Sequence, residues 1–282
     1  MTLSVVIITF NEEANLPRTL GSVKWADEII VVDSGSTDRT VEIARSFGAK
    51  VFVEPWKGFA AQKNSALVKA TGDWILNLDA DEEVEPLLQQ QIGEVLNGWT
   101  MYRKYYDQPE CDPNREMWER DLSASLGARF DDNFAGCYVR RKNMFLDRWI
   151  RHGGFWPDPK LRFFLRGRAS FEDRLVHEDA RPSGSTGMLK GGALVHHAYP
   201  TLSSYIEHMD RYSSLGAQMV VEKGRHGFSF IDIVLRPVFT FLYNYFFRLG
   251  FLDGREGLLL HLYHSVYVSW KYAKVWELTR KK

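Results

Sequence analysis

Two cysteines, Cys111 and Cys137, are all that the 282 residues contain. Two thiols cannot build a disulfide framework and match no zinc spacing, so a disulfide scaffold is excluded and a reducing compartment is the economical expectation. Net charge is missing as well, 36 Lys and Arg balancing 36 Asp and Glu. No stretch reaches about 18 uncharged apolar residues. Asp232, Arg236, Arg248 and Asp253 interrupt the richest region, so a spanning helix is not expected. The first apolar run, Val5 to Phe10, has no basic flank and passes straight into Asn11-Glu12-Glu13, unlike a signal peptide. Internal repeats and low-complexity segments are lacking too. What is there, 45% hydrophobic and 14% aromatic, suffices for a large α/β core.

The overall neutrality hides an asymmetry. Residues 1–100 carry 8 basic and 15 acidic side chains, whereas residues 236–282 carry 8 basic and 3 acidic, so one end repels anions and the other attracts them. Within residues 1–98, strands are predicted at Ser4–Thr9, Glu28–Asp33, Lys50–Glu54 and Asp73–Asp79. Helices are predicted near Asn15–Lys24, over Asp38–Phe47 and Phe59–Ala70, and from Pro86 to about Leu96, with Gly98 as a stop. Such a βαβαβαβ order implies an α/β domain with a doubly wound, mostly parallel sheet and flanking helices. Residues 99–136 lose the rhythm and read as an insertion or lid. Residues 137–200 turn strand-like and complete the domain.

Between Gly136 and Arg174 the chain holds ten Lys and Arg against four acids, which suits either an anionic ligand or surface, or a solvated charged face. Residues 201–282 read as a helical C-terminal region, with helical patterns at Thr201–Gly224, Phe228–Leu249 and Arg255–Glu277. Gly250-Phe251-Leu252-Asp253-Gly254 is a turn between the last two. Aromatic helices with Arg and Lys at their ends and no full span fit an amphipathic membrane-interface segment over 228–282. A dimer interface or an ordinary helical lid fits the same composition.

Ligands of open parallel sheets bind beyond the carboxyl ends of the strands. The residues there are Thr9-Phe10-Asn11-Glu12, Asp33-Ser34-Gly35-Ser36-Thr37-Asp38, Glu54-Pro55 and Asp79-Ala80-Asp81. No Gly-rich dinucleotide fingerprint or P-loop falls at these turns, which argues against nicotinamide enzymes and P-loop NTPases. Asp79 and Asp81, two apart in extended chain, point to one side and suit Mg²⁺ or Mn²⁺ on a diphosphate. Alternatively, Asp81, Glu82, Glu83 and Glu85 favour the N-terminus of the helix beginning near Pro86. Asp33 equally suits stabilising its own turn, and Asp38 is expected to cap a helix.

Taken together, Thr9-Phe10-Asn11-Glu12, Val32 to Asp38, Gln62-Lys63-Asn64, Gly72-Asp73-Trp74 and Leu78-Asp79-Ala80-Asp81 resemble the family 2 glycosyltransferases of GT-A fold. Arg148 to Gly154, Val176-His177-Glu178, Leu249 to Gly254 and Lys271-Tyr272 resemble its bacterial branch that builds lipopolysaccharide inner core, β-1,4-glucosyltransferases included. Residues 99–136 exceed what that branch usually has.

The resemblance implies that Thr9, Asn11, Glu12 and Asp33 bind the uridine and ribose, that Lys63 faces the donor phosphates, and that Asp81 ligates Mg²⁺ or Mn²⁺. Asp79 would reach the ribose, or the metal through water. Glu178 would be the catalytic base of an inverting reaction, with Asp179 as its alternative. His177 would orient that base or pack, Arg151 and His152 would meet the acceptor, and His196 would add a metal or diphosphate contact. The expected activity is metal-dependent transfer of a sugar, glucose foremost, from a UDP-sugar to a lipid-linked saccharide acceptor. The expected setting is peripheral on the cytoplasmic face of the inner membrane, with no nucleic acid partner. Transfer to a polyprenyl phosphate, or a non-catalytic nucleotide-sugar-binding scaffold, are the alternatives.

Overall fold

A computed structural model describes residues 1–106, 120, 123–124, 126, 133–172 and 179–280. Most of the expected insertion at 99–136, together with His177 and Glu178, lies outside them. The described chain divides into two compact units, residues 1–141, 159–172 and 179–196 forming the first, and residues 142–158 and 197–280 the second.

In the first unit, β1 (Leu3–Thr9), β2 (Glu28–Asp33), β3 (Lys50–Val53) and β4 (Trp74–Asp79) lie in the order β3-β2-β1-β4, every pair parallel. The unbroken apolar runs of β1, β2 and β4 are buried on both faces, as adjacent side chains go to opposite covers. Val5, Ile7, Trp74, Leu76 and Leu78 pack with Leu16 and Leu20 of α1 (Leu16–Gly21), Ala44 of α2 (Thr40–Ser46) and Leu88 and Ile92 of α4 (Pro86–Tyr106). Val6, Ile30, Val32 and Ile75 pack on the other face with Ala60 and Ala66 of α3 (Phe59–Lys69).

Two expectations need correction. Helix α4 does not stop at Gly98, because Leu88, Ile92, Val95 and Trp99 make a buried stripe at helical spacing through it. That stripe outweighs the roughly 1 kcal/mol that a helical glycine costs. The sheet is mixed rather than mostly parallel. Beyond β4 come β8 (Lys160–Leu165), β6 (Phe134–Phe145), β11 (Ser185–Tyr199) and β5 (Glu82–Val84), and β8 is antiparallel to both β4 and β6, as is β11 to β5. Antiparallel neighbours can be joined by direct turns and need no crossover helix. At one such turn Leu146 and Asp147, both at positive φ, join β6 to β7 (Arg148–Trp149) with Phe145 opposite Arg148. Strands β9 (Ala169–Phe171) and β10 (Ala180–Pro182) form a separate antiparallel pair.

The second unit is built on α5 (Leu202–Glu222) and α7 (Gly254–Arg280). Thr201 caps α5 through a reciprocal capping box with Ser204. Phe145, Ile150, Tyr205, Met209 and Leu260 form one core, and Ala217, Val268, Tyr272 and Val275 another. The expected helix at Phe228–Leu249 is present with an unexpected texture. Its middle, α6 (Arg236–Leu242), is flanked by π-helical turns at Ile231–Leu235 and Tyr243–Phe247 and followed by a 3₁₀ turn at Gly250–Asp253. Among the described residues, no helix is long and apolar enough to cross a membrane.

Candidate active site

The carboxyl ends of β1, β2 and β4 gather most of the expected site in the first unit. Asp33 ends β2 with no solvent exposure, and its two oxygens accept four hydrogen bonds. The amides of Gly35 and Ser36 donate to one oxygen at 2.9 and 2.8 Å, and the hydroxyls of Thr9 and Ser36 donate to the other. Gly35 sits at φ +90°, a conformation few other residues adopt, which lets the turn fold back on the carboxylate. Thr9 and Asp33 thus build the turn itself.

Asn11, also at positive φ, accepts from the Thr37 amide at 2.8 Å through its side chain, while its own amide donates to Ser36 at 2.8 Å. Asp38 precedes the cap position of α2, which Arg39 occupies, yet it accepts from the Thr40 amide at 3.0 Å and from the Glu13 amide at 3.1 Å. The loops after β1 and β2 are therefore laced into one ledge. On it Glu12 accepts from the Asn15 side chain at 2.9 Å. Burial raises the Glu12 carboxyl above its ordinary value, and the nearby charges of Asp81, Asp38 and Asp79 push the same way against the Asn15 bond.

Asp79 and Asp81 separate in role. Ala80 and Asp81 form a turn rather than an extension of β4, held by the Thr19 hydroxyl donating to the Ala80 carbonyl at 2.7 Å. Asp79 is flanked by cations, with Lys63 Nζ 2.8 Å from one oxygen and the Arg162 guanidinium against the other. Burial alone would raise the Asp79 carboxyl, but Arg162 and Lys63 hold it well below the usual carboxylate range. Asp81 faces His196 instead, 3.4 Å from Oδ2 to Nε2, because β11 pairs with β5 in a register that sets His196 opposite Glu82. His196 outweighs burial and holds the Asp81 carboxyl below its ordinary value.

Beneath this pair runs a layer absent from the expectations. Glu82, wholly buried, receives Arg162 at 2.7 Å and Arg141 at 3.3 Å, and its other oxygen accepts the Asp79 amide at 3.0 Å. Arg162 interrupts the strand Lys160-Leu161-Arg162-Phe163-Phe164-Leu165, and a lone Arg in a buried apolar run is the signal that could have revealed it. The basic stretch is in large part occupied by internal partners of this kind. Lys160 pairs with Asp179, Arg148 with Glu256, and Arg166 donates to the Gly72 carbonyl. Asp179, the alternative base, is exposed and carries Lys160 at 3.1 Å, while Glu178 and His177 fall outside the described residues.

In the second unit, Arg151 and His152 meet the turn that the sequence had singled out separately. The Arg151 amide, the His152 amide and His152 Nδ1 all lie within 3.2 Å of Asp253, which is 2% exposed. Gly153 is required beside it, since a Cβ there would stand 1.9 Å from His261. His152 is thus engaged by Asp253 within its own unit.

Among the described residues, no group of three or more His, Cys, Asp or Glu is placed to hold a metal. Asp81 and His196 offer one oxygen and one nitrogen, a donor set that fits Mn²⁺ or Mg²⁺ when phosphate oxygens and water fill the other positions.

The sequence profile of the family described as "Glycosyl transferase family 2" matches residues 4–156, more than half of the chain. The chain belongs to glycosyl transferase family 2. This glycosyltransferase is 28% identical over 98% of its length to the lipopolysaccharide core biosynthesis glycosyltransferase LpsC of Rhizobium meliloti (strain 1021), covering 93% of that protein. It is 30% identical over 99% of its length to the uncharacterized glycosyltransferase RT0209 of Rickettsia typhi, covering 88% of it. Glucosyl-3-phosphoglycerate synthase from Mycobacterium tuberculosis, solved with Mn²⁺, UDP and glucosyl-3-phosphoglycerate, matches 34% of this chain and 39% of its own at 31% identity. The TM-score of that match is 0.30.

Proposed function

We propose that this glycosyltransferase moves a sugar, glucose foremost, from a UDP-sugar to a hydroxyl of a lipid-linked saccharide such as lipopolysaccharide inner core, with inversion and with help from Mg²⁺ or Mn²⁺. The observation that carries this reading is the division of labour at the end of β4, in a GT-A-type arrangement. Asp79 is neutralised by Lys63 and Arg162, while Asp81 keeps its charge beside His196. Asp81 and His196 would hold the metal, which offsets charge developing on the departing diphosphate. Lys63, already at the Asp79 carboxylate, presents an ammonium where phosphate oxygens would arrive. Thr9, Asn11 and Asp33 shape the ledge for uridine and ribose, and Glu12 is a further acceptor for donor hydroxyls.

Glu178 takes the proton of the acceptor hydroxyl in this scheme, with Asp179 as the alternative, and Arg151, His152 and His177 serve the acceptor side. The kinship with LpsC supports a lipopolysaccharide acceptor, hence a place on the cytoplasmic face of the inner membrane. Release of UDP from a panel of UDP-sugars, with and without Mn²⁺ or Mg²⁺, tests the scheme. Hydrolysis that needs metal and vanishes in Asp81→Ala is the expected result; metal-independent hydrolysis, or full activity of Asp81→Ala, overturns it. Glu178→Gln should abolish transfer, and near-normal turnover would point to a phosphate acceptor that needs no base.

A further inference from the structure

The helical segment after α5 leaves a large apolar face uncovered. Phe228, Ile231, Leu235, Phe239, Phe246 and Phe247 are each 52–79% exposed. The largest apolar patch of an ordinary soluble monomer is functional more often than not, and this one is dominated by aromatic rings. Its charges are sorted. Over residues 224–255 the exposed charged side chains are Arg225, Arg236, Arg248 and Arg255, while both acids, Asp232 and Asp253, are buried and engaged.

At one end the cations converge. Arg225 and Arg236 reach the two oxygens of Asp232 at 2.6 and 2.7 Å, and with Lys271 they stand 4.9–5.5 Å from the Tyr272 ring. Three cations share one carboxylate, and among the described residues no other acid pairs with them. Burial, then the charge of Arg236, pushes the Lys271 ammonium below its ordinary value, as befits a cation short of anions.

We propose that this face docks in the plane of an anionic phospholipid bilayer, its aromatic rings entering the interface and a lipid phosphate seated at Arg225, Arg236 and Lys271. The proposal deepens the membrane part of the function above, and its test needs neither donor nor acceptor. A second copy of the chain is the disfavoured occupant, because a two-fold interface would set arginine against arginine with no exposed acid within residues 224–255 to meet them.

The test is co-sedimentation of the full-length protein with vesicles of phosphatidylcholine alone or with roughly 30% phosphatidylglycerol, at low and high salt. Each Lys or Arg at such a surface contributes on the order of fivefold in binding, so the anionic vesicles should bind at least about tenfold more tightly, and salt should erase the difference. The Phe239→Asp/Phe247→Asp double variant should lose at least about 100-fold on either vesicle. Lys271→Gln should lose roughly fivefold on anionic vesicles alone. Both variants should keep the melting temperature of the parent. Equal binding by the double variant, or no preference for the anionic vesicle, overturns the proposal. So does a dimer, seen by sedimentation equilibrium without vesicles, that the double variant dissociates.

Discussion

Arg162 is the side chain on which the acidic end of β4 depends, and removing it tests that dependence. Arg162→Met keeps the length and apolar packing of the side chain but deletes the charge between Asp79 and Glu82, all three being largely withdrawn from water. Deleting one partner of a buried ion pair costs about 3–5 kcal/mol, since the remaining charge is left in a poor solvent. Here the lower end applies, because Asp79 keeps Lys63 at 2.8 Å and Glu82 keeps Arg141 at 3.3 Å. A loss of about 3 kcal/mol corresponds to roughly 6–12 °C in Tm for a chain of this size.

The pH dependence gives a second handle. Asp79 is held below its ordinary value in the folded protein, so its contribution is present above the unfolded carboxyl value and fades as pH falls through the folded one. Without Arg162 that depression shrinks, so the gap between variant and parent should be full from neutrality down to the unfolded carboxyl value of about 4 and narrow from there toward about pH 2. Thermal melts by circular dichroism across that range would read both quantities. A gap under about 2 °C near neutrality, or one independent of pH, refutes the assignment. Arg162→Lys, with one ammonium for two carboxylates, should recover part of the loss.

Further outcomes follow from neighbouring residues. Asp33→Asn turns one acceptor oxygen into a donor facing the Gly35 and Ser36 amides or the Thr9 and Ser36 hydroxyls. It should cost about 2 kcal/mol in urea unfolding, against about 1 for Thr9→Val. Glu12, whose carboxyl is raised, is less stable folded and ionised than unfolded and ionised. Glu12→Gln should therefore be neutral to stabilising by roughly 0.5 kcal/mol near neutrality, with the difference gone below about pH 4, while UDP binding by calorimetry weakens. His196→Ala should lower metal-dependent UDP release at least about 100-fold with a stability change under about 1 kcal/mol, since the imidazole is an edge partner of Asp81. Gly153→Ala sets a methyl into His261 at a left-handed position and should cost about 2–4 kcal/mol by urea unfolding.

The parallel half of the sheet was legible because period and punctuation agree. Apolar runs such as Val5-Val6-Ile7-Ile8 end on polar residues, and those strand ends are where Thr9, Asp33 and Asp79 stand. The antiparallel half was not, since strand direction depends on partners far along the chain, Trp74 with Leu165 among them. The same distance hid Arg162 and Arg141. Each reads as one more member of a basic stretch until the sheet brings both to Glu82. The link of His152 to Asp253, 101 residues apart, escaped for that reason, although both flanking motifs had been singled out.

The π-helical turns on either side of α6 set the phase of the aromatic face. Ile231, Leu235, Phe239, Tyr243 and Phe247 recur every fourth residue, all exposed, with Phe239, Tyr243 and Phe247 stacked in succession. In an unbroken α-helix a four-residue repeat advances about 40° per step and would wind off one face within these steps. A π turn, with roughly 4.4 residues per turn, retreats by nearly as much, so alternating the two keeps the ladder straight. Deleting a single residue from Ile231–Leu235 would swing half of the ladder by about a quarter turn while leaving every ring in the sequence.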